Sequence, residues 1–483
     1  MKDILDLFVK YKSVSIVTAV SILLAVVVIV AVIILPSSEN TPVDSTTENE
    51  TEAVTETESE ETTEEETLPP ETLPPVTQPP VTQPPATEPP YVETAPPEPE
   101  YVYKPDESLN GVWIASVFNI NFPSNKDLSA EELKKELDSI VATVKECGMD
   151  TIFFQVRPES DALYKSSIFP VSKYLSSNGK LTLDCLDYII KAAHKENIKV
   201  HAWVNPMRVT SNKTDTLDTL PADHPAKLHP EYTVPFSDGK IYYNLGIPAV
   251  RQLVCDGVRE IVQNYDVDGI VFDDYFYPYP AYETDATGKK VLAKFDDEKE
   301  YDSYVASAGK KAKSLGDWRR SNVNSLVKSV YETVKSENAD CLFGVSPFGI
   351  WKNGTGDKNG SLTKGMQSYS DLYCDSLAWV KGGYVDYISP QLYWTTDNES
   401  IPYKSLCDWW AARVKGTKVK LVVSHAAYKY ESGWEDPEGE IKAQVDYADG
   451  KKGYFGSIFY GYQAIYDNIH GIKDELKEIY GDK

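Results

Sequence analysis

Histidine is scarce in this chain, six residues in 483, and none of the six stands in an H-x-H or H-E-x-x-H spacing. The paired ligands that a hydrolytic zinc ion takes from one strand or one helix are therefore missing. Cysteine is equally thin. Cys147, Cys185, Cys255, Cys341, Cys374 and Cys407 are widely separated and form no C-x-x-C pair, which argues against zinc ribbons and dithiol redox motifs and favours buried free thiols over disulfides. No metal and no cofactor is expected. Positive charge is also in short supply, with 48 Lys and Arg against 74 Asp and Glu. That balance argues against a nucleic-acid partner, because phosphate binding needs a basic surface.

The net charge of −26 is unevenly spread. Residues 36–106 hold 18 acidic residues and one Lys, which is −17, and the rest of the chain keeps only −9. This acidic stretch is rich in Thr, Glu and Pro and has almost nothing apolar to build a core, so it is expected to be a disordered linker. A five-residue unit recurs in it, from T-L-P-P-E at Thr67 to T-E-P-P-Y at Thr87. Repeated Pro-Pro enforces polyproline II, a semi-rigid spacer of about 3.1 Å per residue. Before the linker, Val14–Leu35 is an uncharged run of 22 residues, long enough to cross a hydrocarbon core of about 30 Å as a helix. Lys2, Lys10 and Lys12 precede it and acids follow, which predicts a single-pass cell-membrane anchor with the C-terminal domain extracellular. No A-x-A site follows the run, which favours an anchor over a cleaved signal peptide. Residues 1–35 are thus read as cytoplasmic tip and transmembrane anchor, 36–106 as linker, and 107–483 as the folded domain.

In residues 107–483 strand and helix signals alternate. Eight strands are expected at 111–117, 151–158, 199–206, 269–275, 341–349, 385–393, 420–428 and 456–462. Amphipathic segments separate them, the first opening at Ser129 with Glu132 three residues on, a capping box. The fold class this predicts is α/β, a (β/α)8 TIM barrel; two doubly wound sheets are the alternative.

Function in such a barrel sits at the C-terminal ends of the strands, and the polar residues gather there. Strand 4 runs D-G-I-V-F-D-D-Y-F-Y-P from Asp268, an apolar strand ending in adjacent carboxylates and a cluster of aromatics. Acids at a strand end suit the cleavage of a glycosidic bond, and aromatic faces stack on sugar rings. Gln155 and Arg157, Asn205, Gln391 and Tyr393, His425, and Tyr460 lie at or near the ends of other strands. Hydrolysis of a glycoside usually needs two carboxyl groups. The candidates are Asp273, expected to face inward with Val271, and Asp274 or Asp161 as its partner. Arg157 is placed to hold one of them ionised. Tyr275, Tyr277, Tyr393 and Trp394, with Trp113, Trp203 and Trp351, are the possible sugar platforms.

W-I-A at Trp113, Q-V-R-P-E-S-D-A-L-Y at Gln155, H-A-W-V-N-P at His201, the strand 4 run, S-P-F-G at Ser346 and S-P-Q-L-Y-W at Ser389 together resemble the family 10 glycosyl hydrolase-like proteins. The resemblance spans nearly all of residues 107–483. It implies a TIM-barrel glycoside hydrolase, often on bacterial cell surfaces, with polysaccharide or a peptidoglycan glycan strand as partner. A likeness to family 18 chitinases is only partial: Val271 and Tyr275 stand where their D-G-x-D-x-D-x-E pattern has Asp and Glu. Strands 5 to 8 end without Asp or Glu, so a non-catalytic surface glycan-binding barrel is the alternative function. An acid-coordinated metal hydrolase is a weaker third.

Overall fold

A computed structural model describes residues 101–481, except 106 and 356. The expected anchor at Val14–Leu35 and nearly all of the expected linker lie outside the described residues. Eight parallel strands close into one barrel, with β1 (Gly111–Ile114), β2 (Thr151–Arg157), β3 (Lys199–Val204), β4 (Gly269–Phe272), β5 (Leu342–Val345), β6 (Tyr387–Ile388), β7 (Lys420–His425) and β8 (Tyr454–Tyr460) following one another around it. Closure is made by β1 against β8, where Gly111 pairs Ile458, which disposes of the two-sheet alternative. Every strand lies where the sequence places one, but most stop short of the expected rim. At β5 and β6 the polar tips S-P-F and S-P-Q carry Pro347 and Pro390, which have no N–H to extend a ladder.

The helices that return the chain are α1 (Ala130–Glu146), α2 (Cys185–Lys195), α3 (Pro248–Asn264), α4 (Leu315–Glu337), α5 (Ser376–Gly382), α6 (Tyr403–Val414), α7 (Glu440–Asp449) and α8 (Ile472–Tyr480). The capping box expected at Ser129 is formed: Glu132 N–H donates to Ser129 Oγ, and the Glu132 carboxylate accepts the Ser129 amide at 2.8 Å. All six cysteines are buried free thiols.

Two apolar layers result. One lies between barrel and helices, and the other fills the barrel, where Trp113, Phe153, Trp203, Val271, Tyr387, Val422 and Ile458 meet. Each large side chain buried in this way contributes roughly 2–3 kcal/mol. Two glycines make the interior possible. A Cβ at Gly269 would lie 2.4 Å from the His201 ring, and one at Gly344 would lie 2.1 Å from the Tyr387 ring. The room they leave lets His201 Nδ1 and Tyr387 OH meet at 2.9 Å. At the opposite end from the strand tips, Tyr103 packs on the interior cluster. Tyr101 stacks on His194 at 3.8 Å and donates to Asp268 at 2.7 Å.

Candidate active site

Beyond the C-terminal ends of the strands lies a cavity of about 320 Å³ to which all eight strands or their following loops contribute. Strand β4 ends at Phe272, so Asp273 and Asp274 stand past the last ladder position and escape strict alternation. Both line the cavity. They are 4% and 2% exposed, so the surrounding donors decide their charge.

Asp273 is held from below by β3 and the residue just past it. Its Oδ2 accepts Trp203 Nε1–H at 3.0 Å and the Asn205 amide, while its Oδ1 accepts the Tyr275 N–H at 3.3 Å. The Asn205 amide is itself oriented. Backbone N–H groups of Ser116 and Val117 donate to Gln155 Oε1 at 2.8 and 2.9 Å, and Gln155 Nε2 donates to Asn205 Oδ1 at 2.6 Å. Asn205 is left with its NH2 toward the carboxylate. Asp274 accepts the Tyr279 hydroxyl on Oδ2 and Gln391 Nε2–H on Oδ1 at 3.1 Å. Burial pushes Asp273 up to about 6; the Arg208 charge opposes the rise and the neighbouring Asp274 adds to it. Burial also raises Asp274, against the pull of its Tyr279 and Gln391 hydrogen bonds.

Of the residues singled out from the sequence, Asp273, Asp274, Gln155, Tyr275, Gln391, Tyr393 and Tyr460 line this cavity, with Trp113 and Trp203 among its walls. Asn205 is bonded to Asp273 as described. The others lie elsewhere. Arg157 was expected to share the inward face of Gln155, but the register of β2 against β3 slips between those two residues, and such a bulge reverses the alternation. Arg157 turns outward to stack on Phe169 at 4.5 Å, with its Nη1 against Gly257. Along β7 it is Ser424 that faces in, accepting Trp113 Nε1–H at 3.1 Å. His425 therefore points to the helices, between Gln444 Oε1 and Ser457 Oγ at 2.8 Å each, and burial pushes it down to about 4. Tyr277 packs edge-on to Phe295 and Tyr373, and Trp394 packs edge-on to Phe348. Asp161 lies behind the wall, accepting the Glu159 amide at 2.9 Å.

The cavity also contains residues that the strand pattern did not reveal. Arg208 follows Asn205 by three positions in N-P-M-R, on a loop where no periodicity applies. Tyr279 is likewise on a loop, and Tyr428, the last residue of the expected seventh strand, stands instead in a short 3-10 turn after β7. Phe118 lines the mouth, 56% exposed, in a left-handed conformation at φ 55. For a non-glycine residue that conformation costs on the order of 1 kcal/mol and is concentrated at functional sites. Among the described residues no three His, Cys, Asp or Glu side chains gather in a way that could hold a metal ion.

The family model described as glycosyl hydrolase-like 10 matches residues 108–438. A Bacillus subtilis protein named glycosyl hydrolase YngK is 40% identical over 379 residues, a match covering 77% of this chain and 71% of the relative. The Escherichia coli K12 protein named glycosyl hydrolase DigH is 33% identical over 387 residues, covering 75% of this chain and 84% of its own. Among solved structures, the catalytic domain of a beta-amylase from Paenibacillus polymyxa aligns with a TM-score of 0.50 at 10% identity, over 78% of this chain and 99% of that one, a likeness of fold alone.

Proposed function

The chain belongs to the glycosyl hydrolase-like 10 family, and from that premise we propose that it hydrolyses an O-glycosidic bond of a polysaccharide or peptidoglycan glycan strand, with Asp273 and Asp274 as the working pair. The observation that carries this reading is that two buried, adjacent carboxyls open on one cavity, both raised by burial. Asp273 thereby retains its proton to about pH 6. That proton goes to the departing glycosidic oxygen, and the ionised member attacks the anomeric carbon or activates water. Tyr275, Tyr393, Tyr428 and Tyr460 offer faces for the sugar rings. The proposal includes the setting: residues 1–35 anchor the chain in the cell membrane, residues 36–106 space it away, and the barrel acts outside.

One observation favours the binding barrel instead. Among the described residues, Asp273 and Asp274 are the only acids lining the cavity, whereas glycosidases commonly draw their two carboxyls from separate positions across the bond. Turnover of a panel of polysaccharides and peptidoglycan by Asp273→Asn and Asp274→Asn decides between them. Loss of product with glycan binding retained supports hydrolysis. Undiminished product release from both variants refutes the assigned pair, and binding by the parent protein without any turnover leaves the non-catalytic barrel.

A further inference from the structure

The cavity holds a charged side chain that the proposed chemistry does not use. Arg208 is 8% exposed, and its guanidinium has no hydrogen bond or ion pair with any of the described residues. It stacks on the Tyr275 ring, 4.3 Å away, and its charge acts through space on Asp273 without a hydrogen bond. Stacking of this kind fixes the plane of the guanidinium and leaves its N–H edges free. A guanidinium that opens its unused donors on a cavity is placed to take acceptors from whatever enters it.

The two carboxylates that line the cavity do not supply them. Asp273 takes its hydrogen bonds from Trp203, Asn205 and Tyr275, and Asp274 takes its from Tyr279 and Gln391. Those donors are left for a ligand that enters the cavity. A sugar hydroxyl engages one donor and brings no charge. A carboxylate matches the planar fork with two parallel hydrogen bonds and neutralises the buried cation.

We propose that Arg208 is a specificity-determining residue that selects glycans bearing a carboxylate, on the ring as in a uronic acid or on an ether side chain, by pairing two guanidinium N–H groups with it. The inference rests on the reading of this cavity as the glycan site, but not on turnover. Arg208 positions the chain from the acid sugar while the carboxyl pair acts on the bond.

The test measures binding to the full chain carrying Asp273→Asn, so that hydrolysis does not enter. The probes are polygalacturonate and peptidoglycan glycan strands with free lactyl carboxylates, each beside its carboxyl-reduced neutral form. The expected result is at least ten-fold tighter binding of one acidic polymer than of its reduced partner. Whichever polymer shows the difference places the carboxylate on the ring or on the ether. Adding Arg208→Gln is expected to abolish that difference, and Arg208→Lys to keep part of it, with melting curves checking that both variants fold. Equal binding of acidic and reduced forms, equal weakening of both by Arg208→Gln, or no binding of any form overturns the proposal. Discriminating binding by a parent protein that shows no turnover upholds the Arg208 assignment while refuting hydrolysis.

Discussion

The barrel carries two buried acidic pairs near its rim, and they differ in what surrounds them. Glu159 and Asp161, on the loop after β2, are closed in. Glu159 accepts the Tyr174 hydroxyl at 2.6 Å and lies 2.6 Å from Lys173 Nζ, and Asp161 accepts the Glu159 amide. Among the described residues Asp273 and Asp274 have no such cation within ion-pair distance, and they face the cavity instead. Yet burial pushes Asp161 up to about 6, just as it does Asp273, with the Glu159 charge adding to the rise. A raised pKa therefore does not single out the working pair. Access to a cavity, fixed donors on one side only and an unpaired cation do so.

The strongest way to break this comparison is by turnover. Asp273→Asn and Asp274→Asn are each expected to lower kcat by about 10²–10⁴-fold, the usual weight of an acid–base group. Asp161→Asn, measured in the same glycan assay, is expected to change it by less than about ten-fold. An Asp161 variant as damaging as the Asp273 variant would put the closed pair in the chemistry.

Stability sharpens the contrast in the opposite sense. Lys173→Met strands the Glu159 carboxylate in a buried site and is expected to destabilise by about 1–3 kcal/mol, reduced from the fully buried case because Lys173 is half-exposed. For Asp273 the sign reverses. Its pKa is raised in the fold, so the folded state holds a proton that the unfolded chain has lost, and stability falls as pH rises from about 4 to about 6. Asp273→Asn is then expected to raise stability at pH 7.5 by about 1–3 kcal/mol and to leave it nearly unchanged at pH 4. Thermal melts at the two pH values measure both effects.

The smallest expected effect is on the pH profile. If the pair delivers a proton, kcat/KM falls as pH rises through about 6. A profile flat between pH 5 and 8 would remove proton donation from the pair.

The fold was legible because buried parallel strands leave apolar runs and the returning helices leave caps; eight runs and the Ser129 box were enough. The site was legible where a side chain sits at a strand end with regular alternation, as at Gln155, or just past a strand, as at Asp273 and Gln391. It was lost where alternation fails or was not followed. The β2 slip sends Arg157 outward, and Ser424, one position earlier, claims the inward place that His425 was given. Arg208, Phe118 and Tyr279 were invisible because residues between strands carry no period, and only the closed barrel shows which connections converge.

The chain of amides running from the backbone of Ser116 and Val117 through Gln155 and Asn205 to Asp273 has a direction. Every link donates toward the carboxylate, and the polarity is imposed at the far end by peptide N–H groups that cannot rotate. Replacing one NH2 by O, as in Gln155→Glu, changes almost no volume, yet it removes the donor that fixes the next amide. Asn205 is then free to turn its oxygen to Asp273, placing two acceptors face to face. The charge state of a carboxyl just past β4 is in this way written into the orientation of a peptide unit after β1, three strands away around the barrel.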